Sequence, residues 1–354
     1  KVKIVALPEP GKFRILSVGS GKLYTALQPL QGGMLSAWKR HPSATMLTDD
    51  LTSRVQYMYD NRPHGFDWFG SVDYENATDN MRREATFRAL SGLPEGTWKD
   101  AALFSIKPGA AKYPWGYLLQ GDGQLMGHVL SFPLLCVINL ACYRRALDIW
   151  QSEADWESYD FEYRRDAVLK AWDLATLNGD DLLFLTCPRL YEIFTGETRK
   201  VGLKLSAGKN YLSKKFGMIN SQLFSLNGGT IVRVGYLNQR LIKGQCLKSG
   251  SSAALPTQIA QAASKMILLT PWTRCTLPLI FKRWDGKERS VHPNWYLPVH
   301  LGGYGVPISI APDDIKFTKE QRKLAAMFVR EPRLSLYRTL GAPKPPAGLE
   351  RLIP

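Results

Sequence analysis

The chain has 354 residues, 45% of them hydrophobic and 22% charged, ordinary globular usage that excludes a disordered or collagen-like protein and allows two or three packed units. Lysine plus arginine number 46 against 31 acids, a formal charge of +15 that points to a polyanionic, phosphate-rich partner. Five cysteines without a CxxC pair and five scattered histidines without HExxH or HxxxH argue against disulfide frameworks and soft metal sites; a reducing compartment fits, and any metal must be held by oxygen.

In chain order, the opening KVKIVALPEPGKFR has neither an initiator methionine nor the order of a secretory signal, the pattern of a chain that starts inside a longer protein. Residues 1–30 read as strand-like pieces broken by the turn formers PEPGK and VGSGK. A strand ends at Phe69-Gly70-Ser71-Val72-Asp73, a helix runs from about Asn80 to Leu90, and another follows Pro94. Gln124 to Tyr143 carries no formal charge and could span a membrane by length, yet His128, Ser131, Pro133 and Asn139 interrupt it. A proline near its start suits a buried core helix at about 132–148 better, so no membrane span is expected. The acidic-aromatic stretch Asp155 to Asp173 reads as helical.

LATLNGDDLLFLT (174–186) places apolar runs on both sides of Asn178-Gly179, the signature of a hairpin whose tight turn needs positive φ. A second hairpin is expected around Asn227-Gly228-Gly229. The Gly/Ser-rich stretch 244–254 marks a boundary, followed by helical pieces at 255–270 and 318–330 and a Pro-rich tail. The outline is mixed α+β with a mostly helical last third.

Asp180-Asp181 alone reads more readily as a solvated acidic turn than as a site. Asp73 changes the weighing: if its strand pairs beside the 174–186 hairpin, Asp73 and Asp180 converge at one sheet edge. Clustered carboxylates repel unless a cation neutralises them, and an all-oxygen donor set selects Mg²⁺ or Mn²⁺. A pair of such ions is the arrangement that drives in-line displacement at phosphorus. Lys12 and Arg14, with Lys1 and Lys3, form a basic cluster around PEPGK, suited either to solvent or to clamping a triphosphate. Gly127 permits close backbone approach, and Ser131 is either a helix cap or a ligand-facing hydroxyl. Asn139 lies eight residues on, either locally bonded or reading a ribose hydroxyl.

These segments, in this order, resemble the RNA-dependent RNA polymerases of positive-strand RNA viruses, nearest the ourmiavirus-like (botourmiavirus) and narnavirus group. PEPGKFR (8–14) resembles the fingers motif that holds the incoming triphosphate, and VDYENATD (72–79) the first palm motif. GQLMGHVLSFPLLCVIN (123–139) resembles the second palm motif and NGDD (178–181) the third. GLKLSAGKNYLSKKFGMINSQLF (202–224) is similar to the next palm segment, and LGGYGVP (301–307) to a thumb element. The resemblance implies an α+β right-hand polymerase: partial fingers over 1–70, a palm of antiparallel sheet and packed helices over 71–243, and a mostly helical thumb with the tail over 244–354.

It further implies that Asp73 and Asp180 are the principal ligands of Mg²⁺ or Mn²⁺, with Asp181 assisting. Asp79, Ser131 and Asn139 would recognise the sugar, Lys12 and Arg14 the triphosphate, and Lys209 would protonate the leaving pyrophosphate. The implied reaction is two-metal phosphoryl transfer in a host cytoplasm, with template RNA, its product duplex and nucleoside triphosphates as partners. Such polymerases carry more fingers before PEPGK than this chain shows. Two other readings stand beside this one. A reverse transcriptase shares the palm but usually has an aromatic residue ahead of its paired aspartates, and a non-catalytic RNA-binding remnant would have no reason to keep all three.

Overall fold

The computed structural model describes residues 2–9, 12–46, 50–157, 159–235 and 319–330. The elements up to the middle of the chain are β1 (Val2–Glu9), β2 (Lys12–Val18), α1 (Gly21–Lys39), α2 (Thr52–Asp60), β3 (Trp68–Val72), α3 (Ala77–Asn80), α4 (Arg83–Ser91), α5 (Thr97–Ser105), β4 (Ala110–Tyr113) and β5 (Gly116–Leu119). There follow α6 (Ser131–Ser152), α7 (Tyr159–Leu174), β6 (Thr176–Asn178), β7 (Asp181–Thr186), α8 (Pro188–Lys200), β8 (Tyr211–Ser213), β9 (Phe216–Ile219), β10 (Gln222–Asn227), β11 (Thr230–Val234) and α9 (Lys319–Arg330). The chain divides into two compact units, Lys1–Val232 and Arg233–Pro354, and α9 is the helix described in the second. The boundary expected at 244–254, the helical piece at 255–270 and LGGYGVP at 301–307 lie outside the described residues, whereas the piece expected at 318–330 is α9.

The uncharged run Phe69-Gly70-Ser71-Val72 and the apolar run at 182–185 are the pattern of strands covered on both faces. β3 and β7 pair antiparallel from Trp68↔Thr186 to Val72↔Leu182, inside a sheet of order β6-β7-β3-β8. Phe69, Val72, Leu182, Leu183, Phe184 and Leu185 are all buried. The β6–β7 pairing Asn178↔Asp181 leaves Gly179-Asp180 as the two loop residues. Gly179 alone of the pair takes positive φ (70°), the position a two-residue primed turn reserves for glycine. The turn therefore lies one residue later than Asn178-Gly179 suggests, and Asp180 stands at the tip itself.

Helix α6 is buried nearly all round, including Leu134, Cys136, Ile138, Tyr143, Leu147 and Trp150, because it packs into the main core with α8 and the sheet. The uncharged stretch is thus core, and among the described residues no helix is long and apolar enough to cross a membrane. The Tyr143 hydroxyl donates to the Ala171 carbonyl of α7 at 3.1 Å, and its ring meets Phe184 at 4.8 Å, joining helix layer to sheet.

A second sheet, β2-β1-β4-β5, carries the PEPGKFR hairpin, with β1 and β2 paired from Lys3↔Val18 to Glu9↔Lys12. Its other two strands come from 110–119, through the parallel contact Val2↔Ala111. The strand-like character expected through residue 30 stops at Val18; α1 begins at Gly21, where Ser20 caps it by accepting from the Leu23 N–H at 3.4 Å. Buried Leu27 and Trp38 hold α1 helical despite Pro29 and Gly32-Gly33. The expected turn at Asn227-Gly228-Gly229 joins β10 and β11, and a second turn precedes it: Asn220 (φ 50°) and Ser221 (φ 58°) join β9 to β10.

Candidate active site

The register carries the carboxylates together. Asp73 follows Val72, the last paired residue of β3, and so lies opposite Asp181, with Asp180 at the adjoining tip, across strands spaced about 5 Å apart. Burial raises the Asp180 carboxyl; the Asp73 charge adds to this, while its own backbone N–H, Lys209 and Arg14 oppose it. Asp181 is pushed up to about 6 by burial first, then by the charges of Asp180 and Asp73. The Lys209 ammonium lies 3.0 Å from Asp73 Oδ2, and that carboxylate holds it above its ordinary range.

The segments carrying these groups are tied from behind. Asn139, fully buried on α6, accepts from the Tyr74 hydroxyl at 2.8 Å and donates to the Gly179 carbonyl at 3.1 Å. Of the two readings left open for it, the local bonds are the ones present: both ends of its amide are engaged inside the core, on Tyr74 and on Gly179. On the other side Asn210 accepts the Asp73 N–H at 2.8 Å and donates to the Asp73 carbonyl at 2.8 Å and the Ser206 carbonyl at 2.6 Å. Asn178 donates to Asn220 Oδ1 at 3.0 Å, and Asn220 donates to Thr45 at 2.9 Å, anchoring the hairpin from its outer side. Sequence reasoning passed over Tyr74, Asn210 and Asn220; an asparagine directly ahead of a strand was the one available hint for Asn210.

The basic side is less complete. Arg14, on exposed β2, is near enough to Asp180 to lower its pKa. Lys12 starts β2 opposite Glu9, and its side chain lies outside the described part, as does all of Lys1. The hairpin docks through Ser17, whose N–H donates to the Met126 carbonyl at 2.7 Å and whose hydroxyl bonds the same oxygen. A Cβ on Gly127 would sit 2.7 Å from the Ser17 carbonyl, with φ at 104°, so the close approach expected of this glycine is real.

Asp79 lies exposed in the one-turn helix α3, its carboxyl raised by partial desolvation. Ser131 is not the cap of α6: that position is Leu130, which offers no side-chain bond, and Ser131 instead donates to the Leu125 carbonyl at 3.2 Å. It lines a cavity of about 20 Å³ with Arg83, Gln124 and His128. Burial drives the His128 imidazole down to about 4, so it is neutral, with Nδ1 accepting the Leu130 N–H at 3.1 Å.

The donor set suits a hard divalent cation. Asp73 Oδ2 is shielded from water and has no aligned hydrogen-bond donor, the Lys209 ammonium meeting it as an ion-pair partner. The nearby Cys136 thiol is pushed up to about 12, chiefly by burial, so it offers no thiolate and the site stays all-oxygen. Among the described residues no three His, Cys, Asp or Glu side chains are already gathered as a closed metal-holding set, so the convergence is one of strand ends rather than of finished coordination.

Comparison with known proteins agrees with the resemblance read from the motifs. The chain is 27% identical over 263 residues to the RNA-dependent RNA polymerase of Ourmia melon virus (isolate Melon/Iran/VE9), covering 67% of this chain and 29% of that polymerase. It is 25% identical over 308 residues to the RNA-directed RNA polymerase of Saccharomyces 23S RNA narnavirus, covering 83% of this chain and 31% of that protein. It thus spans about three-tenths of the length of the curated relatives it matches. Among solved structures it shares the fold of the RNA-dependent RNA polymerase of a human picorbirnavirus, with a TM-score of 0.56 at 13% identity over 79% of this chain and 55% of that one. The insertion-loop deletion mutant of that polymerase gives 0.58 at 14% identity, over 79% and 57% of the two chains. No family model matches the chain.

Proposed function

We propose that this chain is the nucleotidyl-transferring part of a viral RNA-dependent RNA polymerase, which extends an RNA strand on an RNA template from nucleoside triphosphates in the host cytoplasm. The observation that carries the reading is the antiparallel pairing of β3 with the β6–β7 hairpin, which brings Asp73, Asp180 and Asp181 to one rim beside Lys209 and in the field of Arg14. The proposed division is partial fingers over 1–70, palm over 71–243 and thumb with tail over 244–354.

Asp73 and Asp180 would hold the cation, with Asp181 assisting. When bound, Mg²⁺ or Mn²⁺ supplies Lewis acidity that makes the 3′-hydroxyl of the growing strand a nucleophile and neutralises triphosphate charge. Arg14 and Lys12 bind the triphosphate oxygens and hold the α-phosphorus in line with that hydroxyl. As the 3′-hydroxyl gives its proton to water, the new O3′–P bond forms and the bond from the α-phosphorus to the bridging oxygen breaks; Lys209 passes its proton to the departing pyrophosphate and is reprotonated from water. Asp79 and Ser131 are the remaining candidates for distinguishing ribose from deoxyribose. The +15 surplus grips template and product without regard to sequence, an attraction that weakens as salt rises.

The test is elongation of a primed RNA template with Mg²⁺ or Mn²⁺. Asp73→Ala and Asp180→Asn should each abolish measurable extension; normal extension by either variant defeats the mechanism. Preferential use of deoxynucleotides would make the protein a reverse transcriptase. RNA binding that ignores metal and nucleotide, without extension, would make it a non-catalytic RNA-binding protein.

A further inference from the structure

Asp73 sits where a strand ladder has just ended. The last rung between β3 and β8 is Ser71↔Tyr211, so the register runs on to Val72 opposite Asn210 and Asp73 opposite Lys209. No main-chain rung is formed there, and the Asn210 side chain takes its place. It accepts the Asp73 N–H and donates to the Asp73 carbonyl, both at 2.8 Å, as a neighbouring peptide group would. Its other N–H goes to the Ser206 carbonyl at 2.6 Å, and the Ser206 N–H returns to the Asp73 carbonyl at 3.0 Å. A carboxamide has both an acceptor and two donors; aspartate would lack the donors and alanine would lack everything.

Asn139 does the complementary work across the core. Its two bonds end on Tyr74, the residue after Asp73, and on Gly179, the residue before Asp180. One fully buried amide therefore spans the two chain segments that present the aspartates. Leaving either end unsatisfied in that setting carries a desolvation penalty, which makes the span stiff.

We infer that Asn139 and Asn210 are positioning residues that together set the separation of Asp73 and Asp180, and that neither touches the nucleotide. This rests on the proposed role of those aspartates in holding the cation. Outer partners that orient metal ligands are worth about 10–100-fold in metal affinity or activity. The measurement is Mn²⁺ binding to the intact chain by electron paramagnetic resonance, with thermal melting alongside. Asn210→Ala should weaken Mn²⁺ binding by about 10–100-fold. Asn61→Ala, which loses the bond to the Tyr57 carbonyl (2.9 Å) at the exposed end of α2, should lower the melting temperature slightly and leave Mn²⁺ binding unchanged.

Asn139→Ala strands two buried partners, so Tyr74→Phe, which removes one hydroxyl, is the milder second variant. It should also weaken Mn²⁺ binding while keeping the preference for ribonucleotides over deoxyribonucleotides within about twofold of the native chain. Native Mn²⁺ affinity in Asn210→Ala and Tyr74→Phe, which would make both bonds scaffolding only, overturns the inference, as does a collapse of sugar selectivity in Tyr74→Phe with Mn²⁺ affinity intact. A native chain without any saturable Mn²⁺ site overturns this inference and the proposed function together. A native chain that binds Mn²⁺ but extends no primer overturns the proposed function alone.

Discussion

The two four-stranded sheets of the first unit are built to different standards. In β6-β7-β3-β8 the central strands are covered on both faces and end in the aspartate rim, whose flanking segments Asn139 and Asn210 tie down. In β2-β1-β4-β5 large apolar side chains face outward, Phe13 at 69% exposure and Leu119 at 83%, and that sheet carries Arg14, proposed above to bind the triphosphate. The carboxylates are thus positioned by packing, whereas Arg14 sits on an exposed hairpin joined to its surroundings by the β1–β4 pairing and by the Ser17 contact with Met126. Rigidity is concentrated where repelling charges must be held together, since a strained arrangement of like charges persists only when its surroundings over-determine it.

The largest expected difference between the two is catalytic. Asp180→Asn removes a group held at the hairpin tip and should lower the elongation rate by orders of magnitude at any nucleotide concentration. If Arg14 and Lys12 share the triphosphate as proposed, Arg14→Ala should appear mainly as a raised KM. Steady-state elongation at varied nucleotide concentration separates the two; a pure KM effect for Asp180→Asn would reverse the assignment of roles between the sheets.

Stability should divide the same way. Phe184 of β7 is fully buried, with ring centroids 4.8 Å from Tyr143 and 5.0 Å from Phe194. Phe184→Ala should cost about 3–5 kcal/mol in urea denaturation. A cost below about 1 kcal/mol would mean the first sheet is not the packed frame described.

How far this frame could be read in advance depended on whether local chemistry or distant packing decided each element. The strand at 69–72, the hairpin at 174–186 and the helix after Pro133 were legible, because apolar runs, Asn-Gly and proline act over a few residues. Asn178-Gly179 located the tip to within one residue; the choice between neighbouring turns belongs to register, which only the partner strand sets. Helix α1 was hidden behind Gly21, Pro29 and Gly32-Gly33, whose local preference the burial of Leu27 and Trp38 overrides. At the site, the aspartates, Lys209 and Arg14 could be named from motif order, and the structure brings them near one another. Asn210 and Tyr74 could not, since their work is done through hydrogen bonds to residues 137 and 65 positions away. Asn139 was named with its role open, and the fold adds its burial and its bonds to Tyr74 and Gly179.

The segment between β5 and α6 bonds to β2 through Met126 and to α3 through Gln124, and His128 within it makes this part of the fold sensitive to acid. The buried imidazole is held down to about 4, chiefly by desolvation, with the Ser105 carbonyl opposing. In the unfolded chain a histidine titrates at about 6.5, so below that pH the unfolded state binds a proton that the native state refuses. Stability from this group is therefore complete above about pH 6.5 and is lost as pH falls toward about 4, by roughly 3 kcal/mol in all. His128→Leu should flatten the fall of melting temperature across that window. An unchanged acid limb would place the acid sensitivity elsewhere.

The smallest expected effect tests the exposed sheet directly. Phe13 alternates with Arg14 along β2 and is 69% exposed, so its ring contributes little burial to the described fold. Phe13→Ser should change stability by no more than about 0.5 kcal/mol, within the range of ordinary surface substitutions. Serine also lowers the apolar area of a sheet bounded, among the described residues, by β2 and β5, so at rising concentration the variant should scatter no more light than the native chain. Urea denaturation and light scattering measure the two quantities separately. A loss of about 2 kcal/mol or more would show that Phe13 is covered in solution, and would bring the second sheet up to the standard of the first.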